Sequence, residues 1–153
     1  MKKMLMSLAL MFSALCCATA HASDRATEAE AQAMLTKAVA ALKANGREKA
    51  FAQFQDKQGG FIDRDLYVTV MDLTGRTLAH GVNPRQVGRD VLNLQDADGR
   101  FIVQERLEVA KSRGKGSSTF KFLNPVTKEI ETKVMFFEKV DDLVVSCGAY
   151  KAQ

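Results

Sequence analysis

Tyr67, Thr69, His80, Phe120, Phe122 and Lys133 are polar or aromatic residues set inside β-forming runs, and they are the residues of this chain best suited to chemistry. Tyr67 and Thr69 share a strand face by the period of two, as do Phe120 and Phe122, while His80 ends a neighbouring run and Lys133 interrupts another. A pocket with an apolar wall, one ammonium, one phenol and one imidazole suits a small carboxylate. The lysine neutralises the charge, and tyrosine and histidine donate directional bonds. The pattern leaves a second arrangement open, with Lys133 in water, Tyr67 in the core and His80 a satisfied strand-end residue.

Most enzyme machinery is missing. No G-x-S-x-G, H-E-x-x-H, phosphate-loop or dinucleotide fingerprint occurs. Beyond the N-terminal leader the chain has one histidine, His80, and one cysteine, Cys147, too few for the usual zinc sets. Cys147 lies in the apolar run Leu143–Gly148, where a thiol acts as a small buried hydrophobe. An enzyme using His80 with Cys147 or with a neighbouring acid is the enzymatic alternative. Asp96-Ala97-Asp98-Gly99 echoes the start of a calcium loop, but the twelfth position is Leu107 rather than a bidentate acid, so the segment reads as a turn. Lys111, Arg113 and Lys115, interleaved with Ser112, Gly114 and Gly116, read as a solvated loop. No catalytic residue, metal site or cofactor is expected.

The elements that must position these residues follow from periodicity. Thr27 and Glu30 have capping-box spacing, and Met34, Leu35, Ala38, Val39 and Leu42 continue as a helical apolar stripe. Asn45-Gly46 interrupts it. Asn45 and Glu48 repeat the capping spacing before Ala50, Phe51 and Phe54, which predicts a bent helix or two successive ones. After Gln58-Gly59-Gly60 the pattern turns to short β-rich runs: 66–71 and 76–80 joined by the turn Asp72-Leu73-Thr74-Gly75, then 117–123, 131–139 and 143–150. An irregular stretch from Asn83 and a short helix ending before Gly114 separate the first two strands from the last three. The expectation is an α+β fold, an antiparallel five-stranded sheet with N-terminal helices (residues 23–57) on one face and the sheet and pocket in 58–153.

The N-terminus carries an export signal. Lys2 and Lys3 precede an apolar run to Ala18, and Ala20-His21-Ala22 supplies a small-residue cleavage frame, so residues 1–22 read as a leader cleaved before Ser23. The run is short of the roughly 20 apolar residues that span a bilayer. Leu15 before Cys16 is too bulky for a lipidation site. The remainder is one domain's worth of chain, and since two of the full chain's +4 formal charges belong to Lys2 and Lys3, little is left to hold nucleic acid. A lone Cys147 means that packing, without an internal disulfide, must hold the domain in an oxidising periplasm.

Taken in order, the motifs resemble the single Cache domains. They are Asp65–His80, Asn83-Pro84 through Val87-Gly88-Arg89-Asp90, Gln95–Gly99, Gly116–Phe122, Asn124-Pro125-Val126-Thr127, Lys133 and the closing Cys147-Gly148-Ala149-Tyr150, together covering about residues 28–150. The resemblance implies a long N-terminal helix on a PAS-like antiparallel sheet whose open side holds a small ligand, commonly a short organic acid. It assigns Tyr67, Thr69, His80, Phe120, Phe122 and Lys133 to the pocket, with Met71 and Tyr150 added. This chain departs from the family pattern at Gly81, where proline usually follows the histidine. It also departs at Phe120 and Phe122, where tyrosine and tryptophan are preferred, and at Phe136, which is often tyrosine. Those losses make the pocket more apolar.

Cache domains usually precede a membrane-spanning helix, whereas this sequence stops at Gln153, three residues after Tyr150. The expectation is an exported binder of a small organic acid, without stable membrane insertion and without catalysis, that delivers its ligand or docks on a membrane-bound sensor or transporter. The alternative is an interaction module with a vestigial pocket that acts only by docking.

Overall fold

The structure, a computed structural model, describes residues 25–151; the leader expected over residues 1–22 lies outside the described residues. Helix α1 (Glu28–Asn45) starts at the Thr27–Glu30 capping box, in which each side chain bonds the other residue's backbone N–H. Its stripe of Ala31, Leu35, Ala38, Val39 and Leu42 is buried. Gly46, at φ 76°, breaks the helix there, and α2 (Arg47–Gln55) follows, burying Ala50 and Phe54. The helices are therefore two. The capping expected from Asn45 to Glu48 is not used: Gly46 is the N-terminal cap, without a side-chain bond, and Asn45 reaches Gln53 instead.

The sheet consists of β1 (Ile62–Asp63), β2 (Leu66–Asp72), β3 (Thr77–His80), β4 (Lys115–Leu123), β5 (Ile130–Val140) and β6 (Leu143–Tyr150). All pairings are antiparallel, in the order β1-β2-β6-β5-β4, with β3 also on β2. The two-residue β1 makes six strands where five are legible in the sequence. A third helix, α3 (Ile102–Arg113), lies between β3 and β4 in the chain and ends at Gly114, a left-handed cap.

Strand alternation divides the core in two. Leu66, Val68 and Val70 of β2 and Leu143, Val145, Cys147 and Ala149 of β6 meet α1 and α2 on one face. Met71, Phe120, Met135, Phe137 and Val144 meet Ile102, Val103, Leu107 and Ala110 of α3 on the other. The start of α1 is tied to the sheet. Arg25 donates to both carboxylate oxygens of Glu131, which also accepts from Asn124 and Thr127, while Asp65 accepts from the backbone N–H of Ala26. The Arg25 guanidinium holds the Glu131 carboxyl down to about 2.

Candidate functional site

The face under α3 is the one to which period two assigns Tyr67, Thr69, Phe120, Phe122 and Lys133. Register aligns them further: Phe120 pairs with Lys133 and Lys133 with Tyr150 across β4, β5 and β6, while Thr69 pairs with His80. Between this face, α3 and the 82–94 segment lies a cavity of about 310 Å³. Its wall includes Tyr67, Thr69, Met71, His80, Phe120, Phe122 and Lys133. Tyr150 is the residue of the expected set that does not line it. That side chain stands behind Lys133, taking a hydrogen bond from Nζ (3.3 Å) and donating its own to the Leu123 carbonyl (2.8 Å).

Lys133 is fully buried. Its Nζ donates to the Tyr67 hydroxyl at 2.9 Å and lies 4.1 Å and 4.4 Å from the ring centres of Tyr67 and Tyr150, so two aromatic rings share its charge. Two of its three donors are engaged, which leaves one for another acceptor. Room for the side chain comes from Gly148, where a Cβ would sit 2.9 Å from Lys133 Cε and 2.6 Å from the Val134 carbonyl oxygen. The arrangement with Lys133 in water is thereby excluded.

His80 stacks on Tyr67, with ring centres 5.1 Å apart. Its Nδ1 accepts the Asn83 backbone N–H at 3.1 Å, which makes Nε2 the protonated nitrogen of the neutral ring. Burial and the nearby Lys133 ammonium push the imidazole pKa down to about 4. It is a neutral donor at ordinary pH. Cys147 is on the other face of the sheet, because it pairs with Val68 whereas His80 pairs with the next residue, Thr69. Burial raises its thiol to about 12. Opposite facing and protonation both separate His80 from Cys147.

Arg106 is the residue that the strand pattern misses. It sits on α3 among Ile102, Val103, Leu107 and Ala110, lines the cavity and is 4% exposed. Its Nε is buried with no hydrogen-bond partner, and no carboxylate stands within ion-pair distance of it among the described residues. Its one marked contact is the Phe120 ring, 5.9 Å from the guanidinium carbon. Burial lowers its pKa to about 10. The signal was an arginine at position 106 in the i, i+3, i+4 stripe of an amphipathic helix, where a long cation reads as surface.

The calcium-like segment is a turn, with the Asp96 carboxylate accepting the backbone N–H groups of Asp98 and Arg100. Lys111, Arg113 and Lys115 are exposed as expected but do not form a loop, since the first two end α3 and Lys115 opens β4.

An antiparallel sheet with two helices on one face and a cavity on the other is a PAS-like fold, and solved structures share it. A methyl-accepting chemotaxis protein from Vibrio parahaemolyticus superposes with a TM-score of 0.69 at 19% identity, over 80% of this chain and 86% of that one. A Cache chemosensory domain described as recognising carboxylic acid superposes at 0.62 and 20% identity, over 81% and 88%. The periplasmic sensor domain of a chemotaxis protein gives 0.62 at 21%, over 81% and 90%. The family model of single Cache domain 2 matches residues 3–152, and the chain belongs to that family. The sensor histidine kinase MctS of Rhizobium johnstonii is 32% identical over 89 residues, which are 57% of this chain and 19% of the kinase. The chain thus spans about a fifth of that relative's length.

Proposed function

We propose that this Cache domain works in the periplasm as a binder of a small organic anion, a carboxylate, which it does not transform. The observation that carries the reading is Arg106, a buried cation without a counter-ion among the described residues, opening on the same cavity as Lys133. A buried charge is costly unless paired, and an incoming carboxylate is the partner that completes it. Arg106 and Lys133 neutralise the anion, His80 Nε2–H and the Thr69 hydroxyl orient it, and Tyr67 and Tyr150 hold Lys133 in place. Binding without turnover is supported by the opposite facing of His80 and Cys147. Recognition of carboxylic acid by a structural neighbour is in keeping with this reading.

Export rests on the leader: cleavage before Ser23 gives a periplasmic protein whose intact mass lacks residues 1–22 and carries no lipid. Among the described residues no helix is long and apolar enough to cross a membrane. The bound form is read by a membrane-bound sensor or transporter. A thermal-shift screen of small carboxylates against neutral analogues tests the function. A carboxylate at about 100 times its dissociation constant stabilises the fold by roughly 2.7 kcal/mol. A panel without any stabilising anion would mean a vestigial pocket and a purely docking role.

A further inference from the structure

The cavity is polar at its floor and apolar at its mouth. Lys133 and Arg106 are 0% and 4% exposed, whereas Val82, Leu94 and Leu123 line the same cavity at 38%, 36% and 49% exposure. The rest of the wall is mostly apolar, with Val91, Ile102, Val103, Phe120, Phe122 and Met135, while Thr77, Asn83 and Gln86 add polar groups to it. Exposed apolar side chains gathered at the rim of a charged cavity are the surface that a ligand's own apolar part would cover.

Size points the same way. A cavity of about 310 Å³ holds roughly ten water volumes of ~30 Å³, hence roughly ten non-hydrogen atoms of a ligand. An acid of about four to six atoms fills half of that and leaves Leu94 and Val82 against water. The head is one carboxylate, because the two cations that line the cavity, Lys133 with one donor left and Arg106 with an unpartnered Nε among the described residues, are both buried at the floor and no cation stands at the mouth.

We infer that the ligand is an amphiphilic monocarboxylate with an apolar tail of roughly five to eight carbons, bound head-first on Arg106 and Lys133 with the tail along Phe120 and Phe122 to the Leu94–Val82 rim. This inference rests on the anion-binding reading of the same cavity and adds the tail to it.

The test is calorimetric titration of the protein with sodium acetate, butyrate, hexanoate, octanoate and decanoate, beside adipate and hexanamide. Affinity rises roughly fourfold per methylene while the tail still finds wall, and stops rising near octanoate. Hexanoate binds more tightly than adipate, which buries a second charge against the apolar rim, and more tightly than uncharged hexanamide. Leu94→Ser with Val82→Ser flattens the chain-length dependence. Acetate binding as tightly as octanoate, or adipate more tightly than hexanoate, overturns the tail and leaves the anion site standing. Hexanamide equal to hexanoate, or no acid bound by a protein that still melts cooperatively, overturns both.

Discussion

Replacing Arg106 by methionine should stabilise the unliganded protein and abolish its response to ligand. Burial lowers the arginine pKa from 12.5 to about 10, and at about 1.36 kcal/mol per pKa unit the folded state carries roughly 3 kcal/mol for burying this charge. Methionine keeps most of the side-chain volume and removes the charge. It also forfeits the contact with the Phe120 ring, worth about 1 kcal/mol at a distance of 5.9 Å. The net gain is about 2 kcal/mol, or a rise in Tm of about 6 °C at roughly 3 °C per kcal/mol for a chain of this size. With hexanoate at about 100 times its dissociation constant the order reverses, because the parent gains roughly 2.7 kcal/mol and the variant nothing. Differential scanning calorimetry with and without the acid reads both effects. An Arg106→Met protein that melts below the parent in the absence of ligand would show that the arginine is held by the fold rather than kept for an anion, and the reasoning would fail.

Other outcomes follow from single contacts. Gly148→Ala sets a Cβ 2.6 Å from the Val134 carbonyl oxygen and 2.9 Å from Lys133 Cε, so it should cost about 1–3 kcal/mol in urea denaturation and weaken anion binding by displacing Lys133. Stability should be complete above pH 6.5 and fall as the pH drops toward about 4, because unfolded His80 takes a proton that the folded, buried ring refuses. His80→Asn should flatten that segment of the stability profile. Loss of the Glu131 contribution follows as the pH falls from 4.5 toward about 2. Glu131→Gln removes the charge that Arg25 engages, and amide exchange at residues 26–31 should accelerate, with a loss of about 1–3 kcal/mol.

The half of the site that rides on strands was legible in the sequence. Alternation alone puts Tyr67 with Thr69 and Phe120 with Phe122, and the hairpin turn at Asp72–Gly75 brings His80 back beside Thr69. That Lys133 faces inward was left open by the strand pattern, because a lysine in a strand is usually solvated, and only the family resemblance assigned it to the pocket. The register that sets it between Phe120 and Tyr150, and the bare Cα of Gly148 beneath it, exist only in the folded sheet. Arg106 was hidden for the converse reason: helical periodicity located α3 but treats a long cation as surface, and only the cavity shows that the stripe turns an arginine inward. At Gly46 the helix break was visible, yet not that glycine rather than Asn45 would cap α2, since both residues suit helix ends. The two residues of β1 are too few to show a period.

Calorimetric titration of hexanoate into the parent, Lys133→Met and Lys111→Met tests the central claim most directly. Truncating one member of a buried charge pair costs roughly 2–5 kcal/mol, so Lys133→Met should bind about 30-fold to several thousand-fold more weakly. Lys111, exposed on α3, should leave the affinity unchanged when replaced. If Lys133→Met binds as the parent does, the buried ammonium is not an anchor for the anion and the cavity is not the carboxylate site described here.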